Sequence, residues 1–405
     1  MAILNYEQLF TVRANRVKSS IIRELLKLGN QPGIISLGGG LPDPTMFPVE
    51  KFRECMDTAL SQHAAVSLQY GETPGYTPLR KALAELSKHD GITNLTEENI
   101  LITSGSQQAI DFISKLFIED GDTVILEAPS YLSAIQSFQT FGAKFETVPM
   151  DADGAIIEEL EKTLKNLEAK GIKPKFFYTI PTFQNPAGVT MTLERRKKLL
   201  KIASEHNLLI IEDNPYGDLR YSGEPVPALK TLDTDNRVIY MRTFSKILAP
   251  GIRMGWVVAS TEVISKINLV KQATDLCSPI VTQVAVCEYL NKDYLWPHVE
   301  TIKKAYSYKC AVMVQAVKDY FPSEVIVNTP QGGMFLWAQA PDYINTVDIF
   351  KDALANGVAY IVGSAFYPDG KGTNTMRLNF TMSTPEKIQE AIKRLGVLLK
   401  AKIHK

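Results

Sequence analysis

The chain has 405 residues, with 44 Lys and Arg against 44 Asp and Glu, 45% hydrophobic and 22% charged side chains, material for two or three domains with a substantial core. A formal charge of zero speaks against a nucleic-acid partner, which normally meets a basic excess, and the longest uncharged stretch, the 18 residues 176–193, is broken by Pro181, Pro186 and Gly188 and is not read as a membrane span. No signal-peptide run follows Met1, the four Cys form no CxxC pair and the five His no metal spacing, so a cytoplasmic globular protein with free thiols is expected.

The first 35 residues predict one helix and an extended arm. Within them Ser19-Ser20-Ile21-Ile22-Arg23-Glu24 reads as a helix start, and Ser20 and Arg23, three apart, share a face. From about residue 98, short apolar runs alternate with longer amphipathic stretches. Strands are predicted at 100–103, 123–126, 176–180, 208–211, 238–240 and 256–258. Most are apolar throughout, as expected of strands buried on both faces of a mainly parallel sheet. Helices are predicted between them, at 156–170 and 193–206. The alternation predicts α/β architecture, with a three-layer α/β/α large domain over residues 36–290. A long helix at 298–320 and separated strands at 324–327 and 334–337 then predict a smaller α+β domain over 291–405, with residues 1–35 contributing to the substrate site and to that domain. Trp256, Trp337, Cys277, Cys287 and Cys310 are expected in the core.

In an open parallel sheet, ligands bind beyond the carboxyl ends of the strands. Thr103-Ser104-Gly105-Ser106-Gln107-Gln108 follows the first strand and opens a helix, whose free N–H groups, dipole and hydroxyls suit a phosphate. Three more strand ends follow. Pro181-Thr182-Phe183-Gln184-Asn185-Pro186 offers an amide, and Glu212-Asp213-Asn214-Pro215-Tyr216 a carboxylate and a phenol. Thr243-Phe244-Ser245-Lys246 offers a lysine with hydroxyls, and Arg253 lies seven residues on. Each alone has an ordinary reading as a cap, a turn or a solvated lysine. Together they meet the needs of one cofactor, pyridoxal phosphate: an amine for its aldehyde, an acid for its pyridine nitrogen, donors for its phenolic oxygen and a cradle for its phosphate. Nucleotide motifs fail, since Gly38-Gly39-Gly40 is followed by Asp43 where a dinucleotide fingerprint needs glycine. Asp369-Gly370-Lys371-Gly372 likewise lacks the upstream glycine and the Ser/Thr of a P-loop.

The combination Asn185-Pro186-Ala187-Gly188, Asp213-Asn214-Pro215-Tyr216 and Ser245-Lys246 followed by Pro250-Gly251-Ile252-Arg253-Met254-Gly255 resembles the class I/II aminotransferases of pyridoxal-phosphate fold type I. Within that family it resembles the 2-aminoadipate and kynurenine aminotransferase group, over essentially the whole chain. Gly39-Gly40-Leu41-Pro42, Leu68-Gln69-Tyr70-Gly71, Ala128-Pro129-Ser130-Tyr131 and Met376-Arg377-Leu378 support the likeness. The resemblance implies that Lys246 carries the cofactor covalently and, once released by substrate, acts as general base. It implies that Asp213 pairs with the pyridinium nitrogen, that Tyr216 and Asn185 bond the phenolic oxygen, and that Tyr131 stacks on the ring. Ser106, Gln107, Thr243, Ser245 and Arg253 would hold the phosphate. Tyr70 would reach the phosphate of a neighbouring subunit, so the two sites would be shared in a homodimer. Arg377 would clamp the substrate α-carboxylate bidentately, and Gly40 would contact substrate through its backbone. Thr243 stands where serine is common, Asn214 where an acid is common and Gly38 where alanine is common; all keep the needed chemistry.

The implied activity is ping-pong transfer of an amino group from an L-amino acid to a 2-oxo acid such as 2-oxoglutarate, the lysine pKa having to fall from about 10.4 toward neutrality. In the 2-aminoadipate group an arginine at the Arg23 position meets the distal carboxylate of acidic substrates, so 2-aminoadipate or glutamate is expected. The other reading of Arg23 is a solvated helix residue, and an arginine swung out would admit aromatic or aliphatic substrates. A broad aromatic or kynurenine aminotransferase and a fold type I lyase or decarboxylase are the alternatives. Arg377 and the substrate-arm motif speak against the latter.

Overall fold

The computed structural model describes residues 4–16 and 31–403. After the short strand β1 (Ile35–Ser36), eight strands follow in chain order: β2 (Ile100–Thr103), β3 (Thr123–Ala128), β4 (Lys144–Asp151), β5 (Gly154–Ala155), β6 (Phe176–Thr179), β7 (Leu209–Asp213), β8 (Val238–Thr243) and β9 (Gly255–Val258). They make one sheet in the order β2-β9-β8-β7-β6-β3-β4-β5. The five central strands from β8 to β4 run parallel, and β9 lies antiparallel between β2 and β8.

The apolar runs become strands because they have two faces to bury. Every residue of β2, β6, β8 and β9 is buried. Alternate side chains enter different cores. Ile125, Phe177 and Ile210 pack with Leu160, Leu164, Leu199 and Ile202 of the helices Ile157–Ala169 and Leu193–Glu205. Val124, Leu126, Phe176 and Tyr178 face the opposite core, with Phe112 and Ile113 of the helix Ser106–Phe117. This is the expected α/β layering, with helices on both sides of a mainly parallel sheet.

A second sheet is antiparallel. It uses β10 (Ile326–Val327), β11 (Phe335–Gln339), β13 (Ile361–Val362) and β14 (Thr375–Asn379) in the order β10-β11-β14-β13, while β12 (Val358–Ala359) pairs in parallel with β1. The 26-residue helix Leu295–Tyr320 packs along the C-terminal helix Pro385–Ile403. Their contact needs Gly396, because a Cβ there would collide with the Tyr320 carbonyl.

The structure departs from expectation in places. The long helix begins three residues before the predicted 298, since a proline such as Pro297 is tolerated in a first turn, where its missing N–H has no partner to lose. The strand Lys144–Asp151 was not predicted; its half-exposed position lets Lys144, Glu146 and Asp151 interrupt the apolar pattern. Trp256 is in the core as expected, but Trp337 and Cys277 are only half-buried. All four cysteines are free thiols, and no described helix is long and apolar enough to cross a membrane.

Candidate active site

The phosphate-type cradle is built where β2 gives way to the helix Ser106–Phe117. Gly105 makes the turn at φ +78°, and a Cβ on it would lie 2.5 Å from Arg253 Nη2. Only glycine satisfies both the backbone and the arginine. Arg253 donates from Nη2 to Ser104 O at 3.0 Å and from Nη1 to Pro250 O at 3.2 Å. The Ser106 hydroxyl is buried with no hydrogen-bond partner among the described residues, and the helix presents its unsatisfied N–H groups there. From the end of β8, Thr243 Oγ1 accepts from Ser245 N at 3.1 Å and lies 2.9 Å from Ser245 Oγ.

Lys246 follows directly. Its Nζ donates to Gly40 O at 2.8 Å. Burial, with the Arg377 and Arg253 guanidiniums nearby, brings its pKa down to about 8. Asp213, at the end of β7, is 2% exposed, and burial pushes its pKa up to about 6. Its Oδ2 accepts from the Tyr178 hydroxyl at 2.8 Å. Its Oδ1 is buried with no partner among the described residues. Such an oxygen is costly unless a donor arrives.

Asn185 links two further groups. Its Nδ2 donates to Tyr216 Oη at 3.2 Å, and its Oδ1 accepts from Arg377 Nη1 at 2.8 Å. Arg377 Nη2 reaches Gly38 O at 2.8 Å, and its guanidinium sits 4.2 Å from the Phe335 ring centroid and 5.0 Å from that of Phe366. Its Nε is buried without a partner among the described residues. The Asn185 loop is held from behind by Gln184, whose Nε2 donates to Glu127 Oε2 at 3.1 Å and to Pro129 O at 2.8 Å. Both the Asn185–Pro186 and Ala128–Pro129 peptides are cis.

These groups open into one cavity of about 310 Å³. Lys246, Asp213, Tyr216 and Asn185 line it, as do Ser106, Gln107, Thr243, Ser245 and Arg253 around the cradle, and Tyr131, Gly40 and Arg377 on the remaining walls. Tyr70 does not: it is 79% exposed and lies beside Ile280, in a separate surface hollow. Ser20 and Arg23 lie outside the described residues. The sequence reading missed Tyr178, Phe335, Phe366, Leu41 and Leu132, the last three on the cavity wall. Tyr178 did carry a signal, since a phenol in a strand buried on both faces must find an acceptor.

The family model "Aminotransferase class I and II" matches residues 40–395. The chain belongs to that family. It is 47% identical over 402 residues to aromatic-amino-acid aminotransferase 1 of Thermococcus litoralis, covering 99% of this chain and 96% of that one. Kynurenine aminotransferase from Pyrococcus horikoshii, solved in complex with PMP, superposes with a TM-score of 0.95 at 45% identity, over 98% of each chain. An alpha-aminoadipate aminotransferase from Thermus thermophilus, solved with N-(5'-phosphopyridoxyl)-L-leucine, gives a TM-score of 0.91 at 38% identity, over 99% of this chain and 100% of that one. The fold is therefore pyridoxal-phosphate fold type I and the chemistry pyridoxal-phosphate-dependent transamination. The residues present fit that cofactor. Asp213 Oδ1 lacks only a donor such as a pyridinium N–H, Ser106 Oγ lacks a partner in the cradle, and the amine of Lys246 opens into the same space.

Proposed function

We propose that this aminotransferase moves the amino group of an L-amino acid to a 2-oxo acid such as 2-oxoglutarate, with 2-aminoadipate, glutamate and aromatic or aliphatic amino acids as candidate donors. The observation that carries the reading is the sharing of one cavity by Lys246, Asp213 and Arg377. When bound, pyridoxal 5'-phosphate supplies an electron-withdrawing ring that acidifies the substrate Cα–H. In this reading Lys246 Nζ would hold the cofactor covalently and, once freed by the substrate amine, would take the proton from the substrate Cα and return it to the carbon on the far side of the substrate nitrogen. Its lowered pKa keeps a useful fraction of the amine neutral near physiological pH.

Asp213 Oδ1 accepts from the ring nitrogen and keeps the proton there. Asn185 and Tyr216 bond the phenolic oxygen, Tyr131 covers the ring, and Ser106, Gln107, Thr243, Ser245 and Arg253 hold the phosphate. Arg377 grips the α-carboxylate. Its unpartnered Nε and adjacent Nη offer the two parallel donors of a bidentate pair, and the Phe335 and Phe366 rings pack with their centroids 4.2 and 5.0 Å from its guanidinium. Gly40 meets substrate through its backbone. Tyr70, exposed in a single chain, fits a role at the partner subunit's phosphate, so the proposed enzyme is a homodimer, working in the cytoplasm. Residues 36–290 and 291–405 are the proposed large and small domains.

Side-chain choice is proposed to be dual. The cavity wall carries Leu41, Leu132 and Phe366, apolar surface for an aromatic or aliphatic side chain. Arg23 is the proposed partner of a distal carboxylate. A panel of amino donors assayed with 2-oxoglutarate tests the substrate range. Arg23→Ala should raise KM for 2-aminoadipate and glutamate far more than for leucine or phenylalanine; equal losses for all four would remove Arg23 from recognition. Borohydride reduction should fix the cofactor on Lys246, and Lys246→Ala should lose the visible absorbance and nearly all turnover. Protein that stays colourless with pyridoxal phosphate would overturn the assignment.

A further inference from the structure

We propose that Tyr178 is the positioning residue for Asp213, orienting its carboxylate so that one oxygen, Oδ1, is left for the cofactor's ring nitrogen. The proposal rests on the reading of Asp213 as the acid that meets that nitrogen.

The geometry is specific. Tyr178 lies on β6 and Asp213 at the end of the neighbouring parallel strand β7, with Tyr178 registered opposite Ile211. The Tyr178 ring is fully buried and held edge-on by Phe138, with centroids 5.6 Å apart. Its hydroxyl donates to Asp213 Oδ2 at 2.8 Å, and Tyr178 is the one side chain hydrogen-bonded to Asp213 among the described residues. Burial keeps the phenol protonated, so it remains a donor.

A buried carboxylate has two oxygens to satisfy and a rotation to fix. With Tyr178 on Oδ2, rotation about the Cβ–Cγ bond would break an existing hydrogen bond, and Oδ1 is the oxygen left without a donor on a residue that lines the cavity. Each oxygen then has one donor once a pyridinium N–H is bound, which favours the ionised acid in a site where burial opposes it. The other ionisable groups facing Asp213 are Tyr131 and Tyr216 from the loops after β3 and β7. Lys246, Arg253 and Arg377 line the same cavity. Without the Tyr178 hydroxyl, Oδ2 is an orphaned acceptor, the acid is driven toward its neutral form, and the ring nitrogen loses its counter-charge.

Tyr178→Phe removes one oxygen atom and keeps the packing against Phe138. In the full-length holoenzyme, the expected result is pyridoxal-phosphate binding roughly 10–100-fold weaker, as for a lost hydrogen bond to a buried charge. The pH at which the cofactor's visible band titrates should also shift, and kcat should fall with little change in KM. Melting of the cofactor-free protein, read alongside, separates these effects from lost stability. If the variant keeps the parent's cofactor affinity and band pH while Asp213→Asn loses both, Tyr178 has no positioning role and Asp213 keeps its own. If Asp213→Asn also binds and titrates like the parent, the assignment of Asp213 fails instead.

Discussion

At the scale of single residues, reactivity here is made by burial next to like charge. A solvated lysine near pH 7.5 is neutral in only about one molecule in a thousand, from its ordinary pKa near 10.4. Lys246, buried beside Arg377 and Arg253, is brought to about 8. The protonated amine does not condense with an aldehyde, so capture of pyridoxal phosphate by the cofactor-free protein should slow about tenfold per pH unit below 8 and level off above it. Stopped-flow mixing, followed at the cofactor's visible band, reads this directly; a rate still climbing tenfold per unit at pH 9 would mean an unshifted lysine. Arg377 depends on shape as well as charge. Arg377→Lys keeps the charge but loses the fork, and should raise KM for every amino donor by roughly 10–100-fold, whatever the side chain.

At the scale of elements, the ends of strands carry buried carboxylates that the catalytic reading does not use. Glu212 precedes Asp213 on β7 and points into the opposite layer, where it accepts from Leu229 N at 2.9 Å and Lys230 N at 2.8 Å at the start of the helix Leu229–Leu232. Burial raises its pKa to about 7, above an ordinary value of 4.5. A carboxyl whose folded pKa is raised costs nothing below the unfolded value, and stability drains away as pH climbs from about 4.5 to 7. Glu212→Gln removes that slope while sacrificing an acceptor. The variant's deficit in melting temperature should therefore be largest near pH 5 and narrow toward pH 7.5; a deficit that widens would reverse the sign of the linkage.

The same strands show what can be read from a chain of letters. Phe176–Thr179 and the Val238–Tyr240 part of Val238–Thr243 were legible because burial on both faces leaves an apolar run, whereas Arg242, buried in the same strand against Asp90 and Asp218, hid its continuation. The polar residues beyond each strand were legible because an open sheet binds its ligand there. The antiparallel insertion of Gly255–Val258 between β2 and β8 was not, since strand order is decided by contacts more than a hundred residues apart in sequence. Lys144–Asp151 was hidden by its charges. Tyr178 could be read as a phenol in need of an acceptor, but the acceptor itself was hidden because Asp213 is 35 positions away. The bond between Asn185 and Arg377, 192 positions apart, is equally invisible to local pattern.

At the scale of the molecule, the loop from Gly38 to Asp43 is the fastening between its parts. Arg377 holds Gly38 O, Lys246 holds Gly40 O, and Thr381 Oγ1 holds Leu41 O at 2.9 Å. Asp43 is paired at 2.6 Å with Lys309 on the long helix, whose Nζ also reaches Thr381 O, and its backbone N–H donates to the Tyr306 hydroxyl. Lys309→Met would leave the largely buried Asp43 carboxylate without its counter-charge, with only the Thr45 donors on Oδ1, costing about 3 kcal/mol. Adding Asp43→Asn should recover part of the loss, and a double-mutant cycle in denaturant measures the coupling. Additive losses would show that the pair does not act as a unit.

The fastening also sets when the enzyme can come into being. Gly38 and Arg377 are 339 positions apart, and β1 waits for β12, which lies almost as far along the chain. At roughly 5–20 residues per second of synthesis, the early loop leaves the ribosome some twenty seconds to a minute before its partners exist. The residues of the parallel strands and of the cradle are all made well before Arg377, so the Gly38–Arg377 contact is among the last of these to close.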